Sequence, residues 1–97
     1  MNYLSEIARD IANELPDELV PVDDADGLML VYALLCCTLG VDVSRRHVHD
    51  AWTAWMACRG QEHESMVPYD QLPRDVQLED EPFAEAIRGV ALRLASA

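Results

Sequence analysis

Ten consecutive apolar residues, Leu28 to Cys37, stand in a chain of only 97. A membrane-spanning helix needs about 20, so the run is read as a core helix rather than a span. It is apolar on every face and is therefore expected at the centre, as the element that the others surround. Size reinforces this. A domain this small buries about 60 to 65% of the surface its unfolded chain exposes, so most of its apolar residues must serve one core. Little remains for an elaborate active site. No internal repeat, low-complexity stretch or domain boundary interrupts the sequence, which reads as one domain over residues 1–97.

Periodicity supplies the other elements. Leu4, Ile7, Ala8, Ile11 and Leu15 recur at helical spacing opposite Glu6, Arg9, Asp10 and Asn13, predicting a first helix from about Asn2 to Leu15 that Pro16 ends. A loop with Pro21, Asp23, Asp24 and Asp26 is expected to deliver a capping aspartate to the second helix, over roughly Gly27 to Leu39, with Gly40 as its C-cap. Ser44 is a good N-cap for a third helix, from about Arg45 to Arg59, in which Val48, Ala51, Trp52, Trp55 and Met56 form the apolar stripe and Gly60 is the stop. Gln61 to Glu81 reads as an ordered loop with one or two short helical turns, tacked down by Val67, Tyr69, Leu72, Val76 and Leu78. Pro82 suits the first turn of a fourth helix, whose buried stripe is expected to be Phe83, Ile87, Val90, Ala91 and Leu94. No strand pattern competes. The expected architecture is a compact all-α domain of four principal helices, with an ordered Pro-containing loop between helices three and four.

Charge narrows the function classes. Seven Arg, no Lys and eighteen acidic residues give a net charge of −11, which argues against direct contact with nucleic-acid backbone or an anionic membrane. Residues 1–40 carry eight acids and one Arg (−7), residues 41–60 two acids and three Arg (+1), and residues 61–97 eight acids and three Arg (−5). The third helix is thus the one stretch that is not acidic. Arg without Lys also hints at a genome rich in G and C. The opening Met-Asn-Tyr-Leu-Ser-Glu has neither a basic region nor an apolar export core, and Cys36, Cys37 and Cys58 are odd in number with no CxxC spacing. Reduced thiols in a cytoplasmic protein are the expectation.

Reactive side chains concentrate between His47 and Leu72, where both tryptophans, all three histidines and Cys58 fall within 26 residues. His47 and His49, two apart on a helix, diverge by about 200° and cannot chelate one ion together. Only a pairing such as His49 with His63 remains, and its alternative is a hydrogen bond that fastens the loop to the third helix. Cys58 has no imidazole fixed beside it, Cys36 and Cys37 read as small core fillers, and Glu79-Asp80-Glu81 complements the dipole of the fourth helix. No catalytic residue, metal or cofactor is expected.

Trp52 is read as core and Trp55, at the edge of the stripe, as lining a cleft beneath the loop. Arg45, Arg46 and His49 at the start of a helix can supply donors to an anionic or nucleotide-like ligand, or the two arginines can simply pair with surrounding carboxylates. Pro68 biases Val67 toward an extended conformation and turns the chain before Tyr69. A pocket between helix and loop would be lined by Trp55, His49, His63 and Tyr69, although the same contacts can merely close the core.

His49-Asp50-Ala51-Trp52 on a helix, followed by Met66-Val67-Pro68-Tyr69-Asp70-Gln71-Leu72, an acidic stretch and a final helix, resembles the ryanodine receptor repeat domain over about residues 47–92. That family has a His three residues before a Trp and a later Leu-Val-Pro-Tyr-x-x-Leu turn. The chain also looks similar to small proteins of actinobacteria and their phages. The resemblance implies a non-catalytic binding module that senses a nucleotide-derived ligand; the residues themselves put the candidate site at the junction of the third helix and the loop, with Arg45, Arg46, His49, Trp52, Trp55, His63 and Tyr69. It further implies a homodimer in place of the tandem repeats of the receptors. The competing expectation is an acidic protein-interaction module, such as a phage effector, steered by its charge onto a basic host protein.

Overall fold

The computed structural model describes residues 2–20 and 26–96, and these are helical with no strand among them. Helix α1 (Tyr3–Glu14) starts where the Asn2 side chain accepts a hydrogen bond from the Ser5 N–H at 2.9 Å. It buries Ile7, Ala8 and Ile11, and Leu15 closes its inner face before Pro16. Of the loop expected to cap the second helix, Pro21, Asp23 and Asp24 lie outside the described residues, while Asp26 is already the first residue of α2 (Asp26–Leu39). Gly40, with φ +58°, turns the chain into a single 3₁₀ turn, Gly40–Asp42. Helix α3 (Arg45–Cys58) follows Ser44 as expected. It ends in a Schellman motif about Gly60 (φ +70°), where Gly60 N–H reaches the Ala57 carbonyl and Gln61 N–H the Met56 carbonyl, both at 3.0 Å.

Two short turns interrupt the loop that follows. Pro68 and Pro73 each stand, extended, immediately before one of them: a 3₁₀ turn at Tyr69–Gln71 and the five-residue helix α4 (Arg74–Leu78). Helix α5 (Glu81–Ser96) carries Pro82 in its first turn and is the fourth of the principal helices. Ile11, Val43, Val48, Ile87 and Val90 are the largest fully buried side chains and mark the centre of the core. Among the described residues no helix is long and apolar enough to cross a membrane.

Two expectations need correction. Helix α2 packs against α1, α3 and α5 and buries Leu28, Met29, Tyr32, Ala33 and Cys36. It is not enclosed, however, because Leu30, Leu34 (50% exposed), Cys37 and, beyond the helix, Val41 face outward. A run without polar residues cannot announce which face lacks a neighbour, and among the described residues no further long helix supplies one. In α5 the buried stripe stops at Ala91: Leu94 is 48% exposed, and from Leu92 to Ser96 every residue is exposed. The helix there has run past its neighbours, and the Arg93–Glu14 ion pair ties it to α1.

Truncation should separate these positions. Ile87→Ala, at 0% exposure, is expected to cost about 3 kcal/mol in urea unfolding, whereas Leu94→Ala should stay within about 0.5 kcal/mol of the parent. Equal losses at both sites would contradict the boundary of the core at Ala91.

Candidate functional site

The N-terminal turn of α3 uses one of the three histidines for structure. Ser44 N–H donates to His47 Nδ1 at 3.0 Å, a capping arrangement in which imidazole takes the place of the usual carboxylate. His49, two residues on, points the other way and is 4% exposed, buried among apolar neighbours. Its Nε2–H donates to the Val67 carbonyl at 2.7 Å, since a carbonyl oxygen can only accept. The imidazole lies between Trp52, stacked at 5.8 Å and 28°, and the buried Tyr69, tilted at 6.2 Å and 59°. The loop is thereby fastened to the helix at the residue before Pro68. Gln77 Nε2 donates to the Tyr69 carbonyl at 2.9 Å and joins α4 to the same turn.

His63 completes the framing. Ser65 N–H donates to His63 Nδ1 at 3.0 Å, and Met66 N–H closes a turn onto the His63 carbonyl at 3.0 Å. The ring then meets Trp52 edge-on, with centroids 5.5 Å apart at 84°. Half-buried Trp52 thus contacts both the buried His49 and the exposed His63 ring and forms one wall of a cleft of about 340 Å³. The other walls come from Leu28 and Tyr32 of α2, from Ser65, and from Val76, Glu79, Asp80 and Phe83 at the junction of α4 and α5. Tyr32 and Phe83 pack ring against ring at 5.7 Å and 47°.

The electrostatics of the cleft follow from which carboxylates are already paired. Glu81 is held by Arg88 at 3.0 Å and Arg45 at 3.6 Å, and Arg88 also donates to the Val43 carbonyl at 2.7 Å, tying α5 to the entry of α3. Glu79 and Asp80 have no ion-pair partner among the described residues. Burial pushes the Asp80 carboxyl up to about 6, with Glu79 adding to the rise while His49 and Arg45 pull it down. Burial, and after it the charge of Asp80, holds the Tyr32 phenol well above its ordinary range, so that it stays neutral.

Of the seven residues expected at a site, the structure brings His49, Trp52 and His63 to one cleft. Arg45, Arg46, Trp55 and Tyr69 do not line it. Arg46 pairs with Asp70 at 2.7 Å and lies over the Tyr69 ring at 5.1 Å, so the arginines take carboxylate partners. Both tryptophans are half-buried and pack against the core, as expected of Trp52, but it is Trp52 and not Trp55 that lines the cleft. Trp55 packs against the core where α2 passes, so close that a Cβ on Gly27 would sit 3.1 Å from its indole Nε1, and Arg59 covers the ring at 4.4 Å. Trp52, one turn earlier, lines the cleft together with Leu28 and Tyr32 of α2 and the residues at the junction of α4 and α5.

Four cleft residues, Tyr32, Glu79, Asp80 and Phe83, are invisible to spacing along α3. Tyr32 is the one hydroxyl-bearing residue within the apolar run, a usable signal. In the acidic triplet, Glu81 alone takes arginine partners. Cys36 is buried, and burial followed by its neighbour Cys37 raises its thiol pKa; Cys37 itself is exposed rather than a core filler, as is Cys58. Among the described residues no three His, Cys, Asp or Glu side chains gather in a way that could hold a metal ion.

No curated protein and no solved structure matches the chain. One family does, over residues 2–92, described as Domain of unknown function (DUF7701).

The raised carboxyl of Asp80 predicts a pH signature. Between the ordinary aspartate range and about pH 6 the folded chain holds a proton there that the unfolded chain has released. Stability linked to this group is therefore full in acid and lost as pH rises through 6. Asp80→Asn should be more stable than the parent above pH 7, with the gap closing toward pH 4 in denaturant titrations; a gap that widened in acid would contradict the burial of the charge.

Proposed function

Because the chain belongs to the DUF7701 family, whose description carries no activity, we propose from the geometry that it is a non-catalytic binding module with its site in the cleft beside Trp52. The observation that carries this reading is a half-buried indole, in ring contact with His49 and His63, in a cleft with two carboxylates that have no ion-pair partner among the described residues. A volume of about 340 Å³ falls at the lower end of small-molecule sites, roughly 300–1,000 Å³. Perturbed titration inside a cleft is a recurrent mark of function. Catalysis has less support: the aliphatic hydroxyl in the cleft, Ser65, belongs to a residue that offers its backbone N–H to His63, and Tyr32 stays protonated.

A nucleotide-derived ligand, the class implied by the resemblance to the ryanodine receptor repeat, fits through its base, which can stack on Trp52 and offer amino protons to Asp80. Its phosphates would have to remain outside, because Arg45 and Arg46 are engaged by Glu81 and Asp70 away from the cleft. The protein-interaction reading also has a specific observation behind it. Leu30, Leu34, Cys37 and Val41 form an exposed stripe at i, i+4, i+7 and i+11, in a chain of net charge −11 that would steer toward a basic partner.

Screening a fragment library that includes adenine nucleotides and ADP-ribose by amide chemical-shift mapping tests the binding reading. Ligands are expected to move the amides around Trp52, His63 and Phe83, and Trp52→Ala should weaken them at least ten-fold without unfolding the domain. Trp55→Ala should instead destabilise it, by about 3 kcal/mol. Shifts confined to the Leu30 and Leu34 face would favour the interaction reading, and no shifts in the cleft with any fragment would overturn the proposal.

A further inference from the structure

We infer that the cleft takes an organic cation, an alkylammonium whose charged head meets Glu79 and Asp80 while its methylenes lie against Trp52, Tyr32 and Phe83. The inference rests on the binding reading above and adds the chemical class of the ligand. Three observations point the same way. The walls are aromatic: Tyr32 and Phe83 pack ring to ring in a cleft shared with an indole in ring contact with His49 and His63. Aromatic faces attract cations through their quadrupole, indole most strongly, and do so better where water is excluded.

The second observation is the imbalance of charge. Arg45 and Arg88 are both committed to Glu81, and although His49 and Arg45 act on Asp80 electrostatically, Glu79 and Asp80 face the cleft with no ion-pair partner among the described residues. A bound ammonium would supply it. A phosphate or carboxylate would be repelled by the same pair, and a neutral ligand would leave Asp80 as costly as before. The third is the donor set. A small inorganic cation needs several oxygens around it, whereas the cleft offers two carboxylates set among rings, and among the described residues no group of three ligating side chains exists anywhere. Only a cation with carbon attached uses both halves of the lining. The overall charge of −11 raises the local concentration of any such ligand.

The same headgroup occurs on free amines and at the end of a partner's lysine, and two probes separate these sources. Titrations of n-butylammonium, its neutral isostere n-butanol and a lysine-centred tripeptide, followed by amide shifts at pH 8, should show n-butylammonium binding at least ten-fold more tightly than n-butanol. Tighter binding of the tripeptide than of n-butylammonium assigns the cation to a partner side chain; the reverse order assigns it to a free amine. Asp80→Asn and Glu79→Gln, both isosteric and each checked for an unchanged amide spectrum elsewhere, should each weaken n-butylammonium about five-fold or more while leaving n-butanol unaffected. Equal binding of n-butanol and n-butylammonium, or indifference to both substitutions, would overturn the inference. If neutral or anionic fragments occupy the cleft and n-butylammonium does not, the cation class fails and the binding module stands; if no probe or fragment reaches the cleft, both fail.

Discussion

The hydrogen bond from the buried His49 Nε2–H to the carbonyl of half-buried Val67, 2.7 Å long, is the contact on which the rest of the site depends. A buried imidazole on an apolar helix face is costly unless its polar atoms are used, and a buried carbonyl carries the same penalty. Joined, the two satisfy each other for a net gain of about 1 kcal/mol; separated, each would cost about 1–3 kcal/mol. This asymmetry holds the loop in one place. The segment from Gln61 to Leu72 has no long helix and buries only Tyr69 and Leu72, so it has little apolar area of its own with which to dock. With Val67 fixed, Pro68 turns the chain, Tyr69 closes over the imidazole, and the other face of that imidazole sets the plane of Trp52.

The all-α fold was legible because its signals are local. A cap at Ser44, stops at Pro16 and Gly60, and a proline in the first turn of α5 each act within one turn of a helix, and each acts as its residue type implies. What was not legible is set by packing between distant segments. Trp52 and Trp55 occupy neighbouring positions of one amphipathic stripe, and nothing in that stripe distinguishes them. The difference lies 28 residues upstream of Trp55, at Gly27, whose missing side chain admits α2 against that indole. Leu94 and Leu34 fail as core for a related reason. Periodicity reports which face of a helix is apolar, not where its neighbours end.

The acidic triplet shows the same limit in electrostatic form. Glu79, Asp80 and Glu81 are equivalent as sequence, three carboxylates before a helix, suited to its dipole. In the fold, Glu81 takes both arginines and becomes the bridge between α3 and α5, while Asp80 is half-buried with no such partner. Of the arginines expected to receive a ligand, Arg45 is spent on Glu81 and Arg46 on Asp70, and the unmatched charge in the cleft is negative. The prospective ligand changes sign as a result.

The residues that carry the resemblance to the ryanodine receptor repeat, His49, Trp52, Pro68 and Tyr69, form one connected set of contacts through the imidazole and the Val67 carbonyl it binds. Their first duty is to fix a loop on a helix, and any sequence that keeps them would reproduce that frame. Pro68 and Tyr69 contribute to the frame without lining the cleft, whereas His49 and Trp52 belong to both. In the proposed binding reading, recognition falls to Tyr32, Glu79, Asp80 and Phe83, which arrive from α2 and from the junction of α4 and α5 and lie outside the motif. A frame of this kind allows the chemistry of the ligand to change by substitutions at those four positions alone, because none of them takes part in the His49 clamp.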